Sequence, residues 1–370
     1  MEAIEKEEKL FYDIALTQTE NIGDKTARQL LHHFENAKSI FNASPRRVAA
    51  IDGLSVKKIE ALKKAIDEKA IRKELAFINK YGIKPLLITD NEYPSNLKSC
   101  PDAPILLYYR GNINLNELRL VSVIGTRKNT DYGVQVTHAL LEGLQGYNIA
   151  IVSGLAYGID IVAHRKALQL GIPTLGVLAH GMDTIYPTQH KYVAKEMTLN
   201  GGLLTEYPSG TGPDRFHFPM RNRIVAGMCD VTVVVETERQ GGAMITAKLA
   251  SGYNREVAAF PGRTTDKKSD GCNYLLGTNI AQLITGPEDL IEMMGWDRPA
   301  PKPALQRRLF PHLNSEELCV ATSLEQADNM HIDELCLKTG IPASSLSLLL
   351  LNLELSGVVH PLAGKRYRLA

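Results

Sequence analysis

Six short apolar runs recur through the middle of the chain at the spacing of a β-strand plus a crossover helix. They begin at Val121 (VSVIG), Ile149 (IAIVSG), Thr174 (TLGVLAHG), Leu203 (LLTE), Val231 (VTVVVE) and Glu256 (EVAAFPG), with successive starts 28, 25, 29, 28 and 25 residues apart. The runs are nearly continuous in apolar residues and do not alternate with polar ones. Such strands are buried on both faces, which calls for a parallel sheet with helices on either side. This pattern predicts an α/β fold with a Rossmann-like, doubly wound, mostly parallel sheet. The stretch from Lys84 to Arg110, with ILLYYR from Ile105, is expected to add edge strands and a loop.

At 370 residues the chain has room for more than this one domain. Residues 1–80 carry apolar positions at helical spacing, as in Val56, Ile59, Leu62 and Ile66. Two Gly-containing turns each open a Lys-bearing helix: Ile22-Gly23 before Asp24-Lys25-Thr26-Ala27, and Gly53-Leu54-Ser55 before Val56-Lys57-Lys58. They resemble a helix-hairpin-helix, whose turn amides can face a phosphate. Each copy has one glycine where that motif prefers two, so a small helical bundle (SAM- or helix-hairpin-helix-like) that packs against or binds protein is the favoured reading.

The α/β domain is assigned to 81–296 and a stiff linker to 297–304, where DRPAPKPA carries three prolines. A further domain follows at 305–370. There, His331 to Thr339 and Ala343 to Leu355 read as two helices around a Gly340-Ile341-Pro342 turn. Gly357 stops the second helix, and Val358-Val359-His360 and Arg366-Tyr367-Arg368 form a hairpin through Ala363-Gly364. Helix–turn–helix followed by a hairpin is a winged-helix pattern.

Composition narrows the function classes. Lys and Arg number 42 against 41 Asp and Glu, and the balance is close to even in each part of the chain. A coating or wrapping protein that grips nucleic acid by bulk charge is therefore excluded. No apolar run reaches transmembrane length, and the charged start MEAIEKEEKL lacks a signal core. The five cysteines form no CxxC pair, and the histidines show no metal-ligand spacing. A cytoplasmic protein with no metal or cofactor is expected.

Ligands of open α/β sheets bind at the carboxyl ends of the strands, and the chemistry-bearing residues fall there. After the first run, Gly125-Thr126-Arg127-Lys128 combines a tight turn, a hydroxyl and a planar phosphate donor ahead of a helix start. After the second, SGLAYGID places Ser153, Gly154 and Gly158 in a phosphate-cradling loop that is neither GxGxxG nor a P-loop. Lys191 and Lys195 share one helix face after the third run.

RFHFPMRNR then holds Arg215, Arg221, Asn222 and Arg223 with Phe216 and Phe218 interleaved and no acid among them. Arginines grip phosphates and rings stack bases, so this segment suits a single strand. One of its last two arginines is expected to be structural. Gly241-Gly242 opens a helix bearing Thr246. Asp160 and His164, one turn apart, could form an acid–base pair, but capping and packing are the plainer reading.

Taken in order, GTRKNTDYG, SGLAYGID, GVLAHGMDTIYP, FPMRNRIVAG, the VVVE strand with its ITA helix, and FPG with GCNYLL resemble the DNA-processing protein A family (DprA/Smf). The resemblance implies a protein that is not an enzyme. It would bind and protect incoming single-stranded DNA in natural transformation, load the RecA recombinase, and form a homodimer through its Rossmann domain. It places Arg127 at the centre of a phosphate pocket and adds Lys191 and Arg215. Where the family commonly has SGS, this chain has Gly241, Gly242 and Ala243, which removes two hydroxyl donors.

Two other readings compete. A nucleotide hydrolase of the phosphoribohydrolase type would use the Gly-rich loops and Asp160/His164, but its PGGxGTxxE motif is missing. A dinucleotide-binding regulator needs a ribose-binding acid after the second strand, and none is placed there.

Overall fold

The computed structural model describes residues 2–51, 53–64, 66–297, 313–325, 329–356, 358–362 and 364–369. Most of the linker expected at 297–304, together with Gly357 and Ala363, lies outside these residues. The chain divides into two compact units, 1–298 and 299–370.

The first unit opens with six helices: α1 (Glu2–Gln18), α2 (Asp24–His33), α3 (Ala37–Asn42), α4 (Pro45–Ala49), α5 (Val56–Lys63) and α6 (Glu68–Tyr81). Local chemistry sets several of their ends. Asn36, Ser44 and Asp67 side chains each accept an amide of the first turn, and α6 stops at Gly82 in the left-handed region. Lys58 donates to Thr26 Oγ1 at 2.8 Å, so the two Gly-turn helices are tied together. Ile14, Leu30 and Phe34 join Leu86, Tyr93, Leu107 and Ile224 in one hydrophobic core, which docks the helices on the sheet part.

The sheet has nine strands: β1 (Lys84–Leu87), β2 (Leu106–Gly111), β3 (Arg119–Ile124), β4 (Ile149–Ser153), β5 (Thr174–Val177), β6 (Gly201–Thr205), β7 (Val231–Val234), β8 (Glu256–Ala259) and β9 (Gln282–Leu283). Their order is β1-β2-β6-β5-β4-β3-β7-β8-β9. All pairings from β6 to β9 are parallel, whereas β1 and β2 are antiparallel additions at the β6 side. The six expected strands are all present, and β4, β5, β6 and β7 are buried at every position. The sequence pattern did not show β9, whose two residues are too few to leave a signature.

The short helix α7 (Ser95–Lys98) precedes β2. The crossovers are α8 (Asp131–Gly143), α9 (Ile159–Gln169), α10 (Lys191–Met197), α11 (His217–Met228) and α12 (Gly242–Gly252), and α13 (Asp270–Gly277) and α14 (Pro287–Met293) complete the unit. The strand order turns between β3 and β7, and ligand crevices open at such reversals.

The second unit contains α15 (Ser315–Glu325), β10 (Met330–His331), α16 (Ile332–Thr339), α17 (Ala343–Leu355), β11 (Val359–Leu362) and β12 (Arg366–Leu369), with strand order β10-β12-β11. This is the expected winged helix with one more helix, α15, ahead of it. His331 and Glu334 form a capping box at α16, and Gly340 ends it at φ 70°. Leu346, Leu350 and Leu353 bury one face of α17, while Leu348, Leu351 and Leu355 stay exposed on the other. Among the described residues no single helix is long and apolar enough to cross a membrane, and no group of three or more His, Cys, Asp or Glu is placed to hold a metal.

Candidate functional site

Shared register brings the strand-end loops together. Ile124 pairs with Val234, Val234 with Ala259, and Ser153 with Gly176, so these strands finish at one edge. There the loops after β3, β4 and β7 and the first turns of α11 enclose a groove of about 1000 Å³. Of the residues singled out by sequence, Gly125, Thr126, Arg127, Lys128, Gly154, Arg215, Phe218, Arg221, Asn222, Gly241, Gly242 and Thr246 line it. Segments more than 100 residues apart in the chain thus form one surface.

Two glycines hold the loops at close range. Gly158 has φ 82°, and a Cβ there would lie 2.0 Å from the Thr126 carbonyl oxygen. The amide of the next residue, Ile159, donates to that same oxygen at 3.2 Å. Gly158 therefore sets the height of the Arg127 loop and does not itself line the groove. At Gly154 a Cβ would sit 2.5 Å from the Arg221 guanidinium, which packs flat on the glycine.

Arg221 is buried and donates to the Gly154 carbonyl at 2.7 Å and to the Val177 carbonyl. Burial lowers its pKa to about 10, although the Asp160 carboxylate pulls the other way. It is a fixed positive charge under the groove that also staples two strand ends. Asp160 accepts the Gly154 and Ala156 amides at 3.1 and 3.3 Å, and burial raises its pKa. His164 is fully buried, bonds Thr174 Oγ1 at 2.7 Å, and is driven down to about 3 by burial. The pair is thus part of the packing, and the hydrolase reading loses its acid–base couple.

The groove wall is aromatic and cationic. The exposed Arg127 guanidinium lies 5.4 Å from the centre of the Phe218 ring, and Phe218 packs 5.9 Å from Tyr186. Arg215 stands over Phe216 at 4.7 Å. Opposite, no side chain caps α12, and Gly241, Gly242 and Ala243 line the cavity, so the positive end of this helix faces it.

The start of α8 behaves differently. Thr130 caps it, and the buried Glu236 carboxylate accepts from the Thr130 amide at 2.9 Å and the Thr130 hydroxyl at 2.5 Å. Rossmann dinucleotide sites put a pyrophosphate on the first helix N-terminus; here the chain's own carboxylate occupies that place.

Several expected residues lie elsewhere. Arg223 is a correction: it is buried and bound to Asp24 at 3.1 Å, to Glu206, and to the Asp102 carbonyl at 2.6 Å. Two positions after Arg221 on a helix, its side chain points to another face, into the junction with α2. Ser153 is buried and donates to the Val123 carbonyl at 2.7 Å, joining β4 to β3. Lys191 and Lys195 are exposed on α10, and Phe216 is exposed beside Arg215, all outside the groove lining. Tyr186, Gln240 and Ile245 line the groove but are not among the site residues expected from sequence. The YP pair after the third strand was a usable signal for Tyr186 and the ITA helix for Ile245; Gln240 carried none.

Comparison with known proteins agrees with this architecture. Residues 84–295 match the family DNA recombination-mediator protein A, residues 298–365 the DprA winged helix domain, and residues 13–68 a SAM-like helix-hairpin-helix tandem. Protein Smf of Synechocystis is 34% identical over 77% of this chain and 72% of its own length. DNA processing protein DprA of Streptococcus pneumoniae is 39% identical over 55% of this chain and 72% of its own.

The X-ray structure of DNA processing protein A from Streptococcus pneumoniae aligns with a TM-score of 0.68 at 32% identity, covering 78% of this chain and 98% of that one. The structure reporting the single-stranded DNA binding mode of DNA processing protein A from Helicobacter pylori aligns with a TM-score of 0.53 at 32% identity, covering 59% and 98%. With its strand order, its winged helix and its ordered motifs all in place, the chain belongs to the DNA recombination-mediator protein A (DprA/Smf) family.

Proposed function

We propose that this protein binds single-stranded DNA in the strand-end groove and acts as a binding protein, not an enzyme, in the transformation and recombination of incoming DNA. One observation carries the reading. The Arg127 guanidinium, its Phe218–Tyr186 ring pair and the uncapped end of α12 meet in one cavity. Cations and helix ends hold phosphates, and rings stack bases of any sequence. The related Helicobacter protein, described by its single-stranded DNA binding mode, supports the same assignment.

In this reading the DNA-contacting residues are Arg127, Lys128 and Arg215, with Phe218, Thr126 and the Gly241–Gly242 amides. Lys191 and Lys195 guide the strand from outside. The protein works in the cytoplasm, as a homodimer through the α/β part, and hands the strand to the RecA recombinase. The winged helix meets protein: the outer face of α17 offers Leu348, Leu351 and Leu355 and no Lys or Arg. Titration of oligo-dT over a salt series is the test. Affinity that falls as salt rises, and is indifferent to base sequence, supports the proposal. Release of free base from nucleoside monophosphates would refute it.

A further inference from the structure

The groove does not end at α12. Glu238 and Gln240 belong both to its wall and to a hollow of about 470 Å³ bounded by Arg239, Thr264 and Lys267. Thr265, Asp266 and Lys267 in turn wall both that hollow and a third cavity of about 910 Å³. Shared walls therefore set three neighbouring cavities in a row, from the loops after β4 and β7 to the loop after β8.

The third cavity has the chemistry of a nucleotide site with its polarity set outward. Its floor is Thr130 with the Glu236 carboxylate, which already claims the start of α8, so an anion gains nothing there. Its wall is the Tyr132 ring, 42% exposed and pinned by a hydroxyl bond to the Pro261 carbonyl at 2.9 Å. At its rim stand Arg263, Lys267 and Lys268 against one exposed carboxylate, Asp266. In the connecting hollow Arg239 lies 4.5 Å from the centre of the Tyr274 ring. One ring inside with cations around it suits a strand that turns a base inward and its phosphates outward. The cavity is also of a size that encloses a small organic ligand.

We propose that the bound single strand continues out of the groove, past Arg239, into this third cavity. There a base stacks on Tyr132 and the flanking phosphates meet Arg263, Lys267 and Lys268. The inference rests on the groove being the primary strand site, and the test separates the two. The full-length protein is titrated with fluorescent oligo-dT of about 5 and of about 15 nucleotides, lengths that bracket one and several subsites.

Wild-type protein should bind the longer strand more tightly. Charge reversal by Lys267→Glu with Lys268→Glu should weaken the longer strand about 10-fold and leave the shorter one unchanged. Tyr132→Leu should act in the same direction, and Lys267→Gln with Lys268→Gln repeats the measurement should the reversed pair fail to fold. Equal wild-type affinity for both lengths overturns the inference. So does a variant that loses both lengths equally or neither. Saturable binding of a free mononucleotide, sensitive to these substitutions while oligonucleotide binding is not, overturns it as well. Failure of wild-type protein to hold even the short strand counts against the groove itself.

Discussion

Replacing Arg127 by Ala tests the centre of the site. The side chain is exposed, forms no ion pair among the described residues, and rests on Phe218. Its loss should therefore leave the fold intact. On the DNA side it removes one charge-assisted phosphate contact, worth about 1.5–3 kcal/mol. Loss of the ring contact that orients the guanidinium acts in the same direction but is smaller, about 0.5–1 kcal/mol at an exposed site. A total near 2 kcal/mol corresponds to a Kd raised roughly 30-fold. The charge also contributes to counterion release, so the slope of log affinity against log salt should fall by about 0.7.

Fluorescence anisotropy with oligo-dT across a salt series reads both quantities. Arg127→Lys keeps the charge and loses the planar fork, so the slope should stay while affinity drops by several-fold, on the order of 1 kcal/mol. The reasoning is refuted if Arg127→Ala shifts affinity by less than about threefold and leaves the slope unchanged.

Three further outcomes follow from the geometry. Gly158→Ala should weaken oligo-dT binding as Arg127→Ala does although Gly158 does not line the groove, because its new methyl collides with the Thr126 carbonyl and displaces the Arg127 loop; anisotropy equal to wild type would contradict this. Arg223→Met leaves the partly exposed Asp24 and the largely buried Glu206 carboxylates without their cation and should cost about 3 kcal/mol in a thermal or urea melt. The folded variant should keep its affinity for DNA, and a selective loss of binding would return Arg223 to the site.

Asp13, buried on α1 with Oδ1 unpartnered, has its pKa raised by burial to about 7. The folded state holds this proton between pH 4 and pH 7 where the unfolded chain has released it, so its contribution to stability declines as pH rises through that window. Asp13→Asn should flatten the decline, as melts at pH 5 and pH 8 would show.

Much of the fold is legible because burial leaves a linear trace. Strands buried on both faces cannot alternate, and a crossover helix has a minimum length, so period and apolar density together expose β3 to β8. Short or half-exposed elements leave less: β9 has two residues and lies at the sheet edge. At the candidate site, sequence singled out loops that the fold brings to one groove, but not how each residue packs there. Gly154 and Gly158 were read as openings for a ligand, and they turn out to admit the Arg221 guanidinium and the Thr126 carbonyl. In the RNR triplet, sequence expects one structural arginine without saying which. Its first arginine underlies the groove and its last is locked between Asp24 and Glu206.

The sequence by itself determined the layered α/β class, the winged helix and the family, and it pointed to the strand-end loops as the candidate site. These depend on periodicity, turn chemistry and motif order, all of which are properties of neighbours along the chain. Tertiary structure alone decided which charges remain available. Whether an arginine stays exposed or is locked to a carboxylate depends on partners far away in sequence, as Arg223 with Asp24 shows. The uncapped end of α12 and the filled end of α8 differ for the same reason, since Glu236 reaches Thr130 only when β7 lies beside β3. A near-neutral chain can therefore present a cationic groove, because folding neutralises some of its charges in the interior and leaves others gathered at one edge of the sheet.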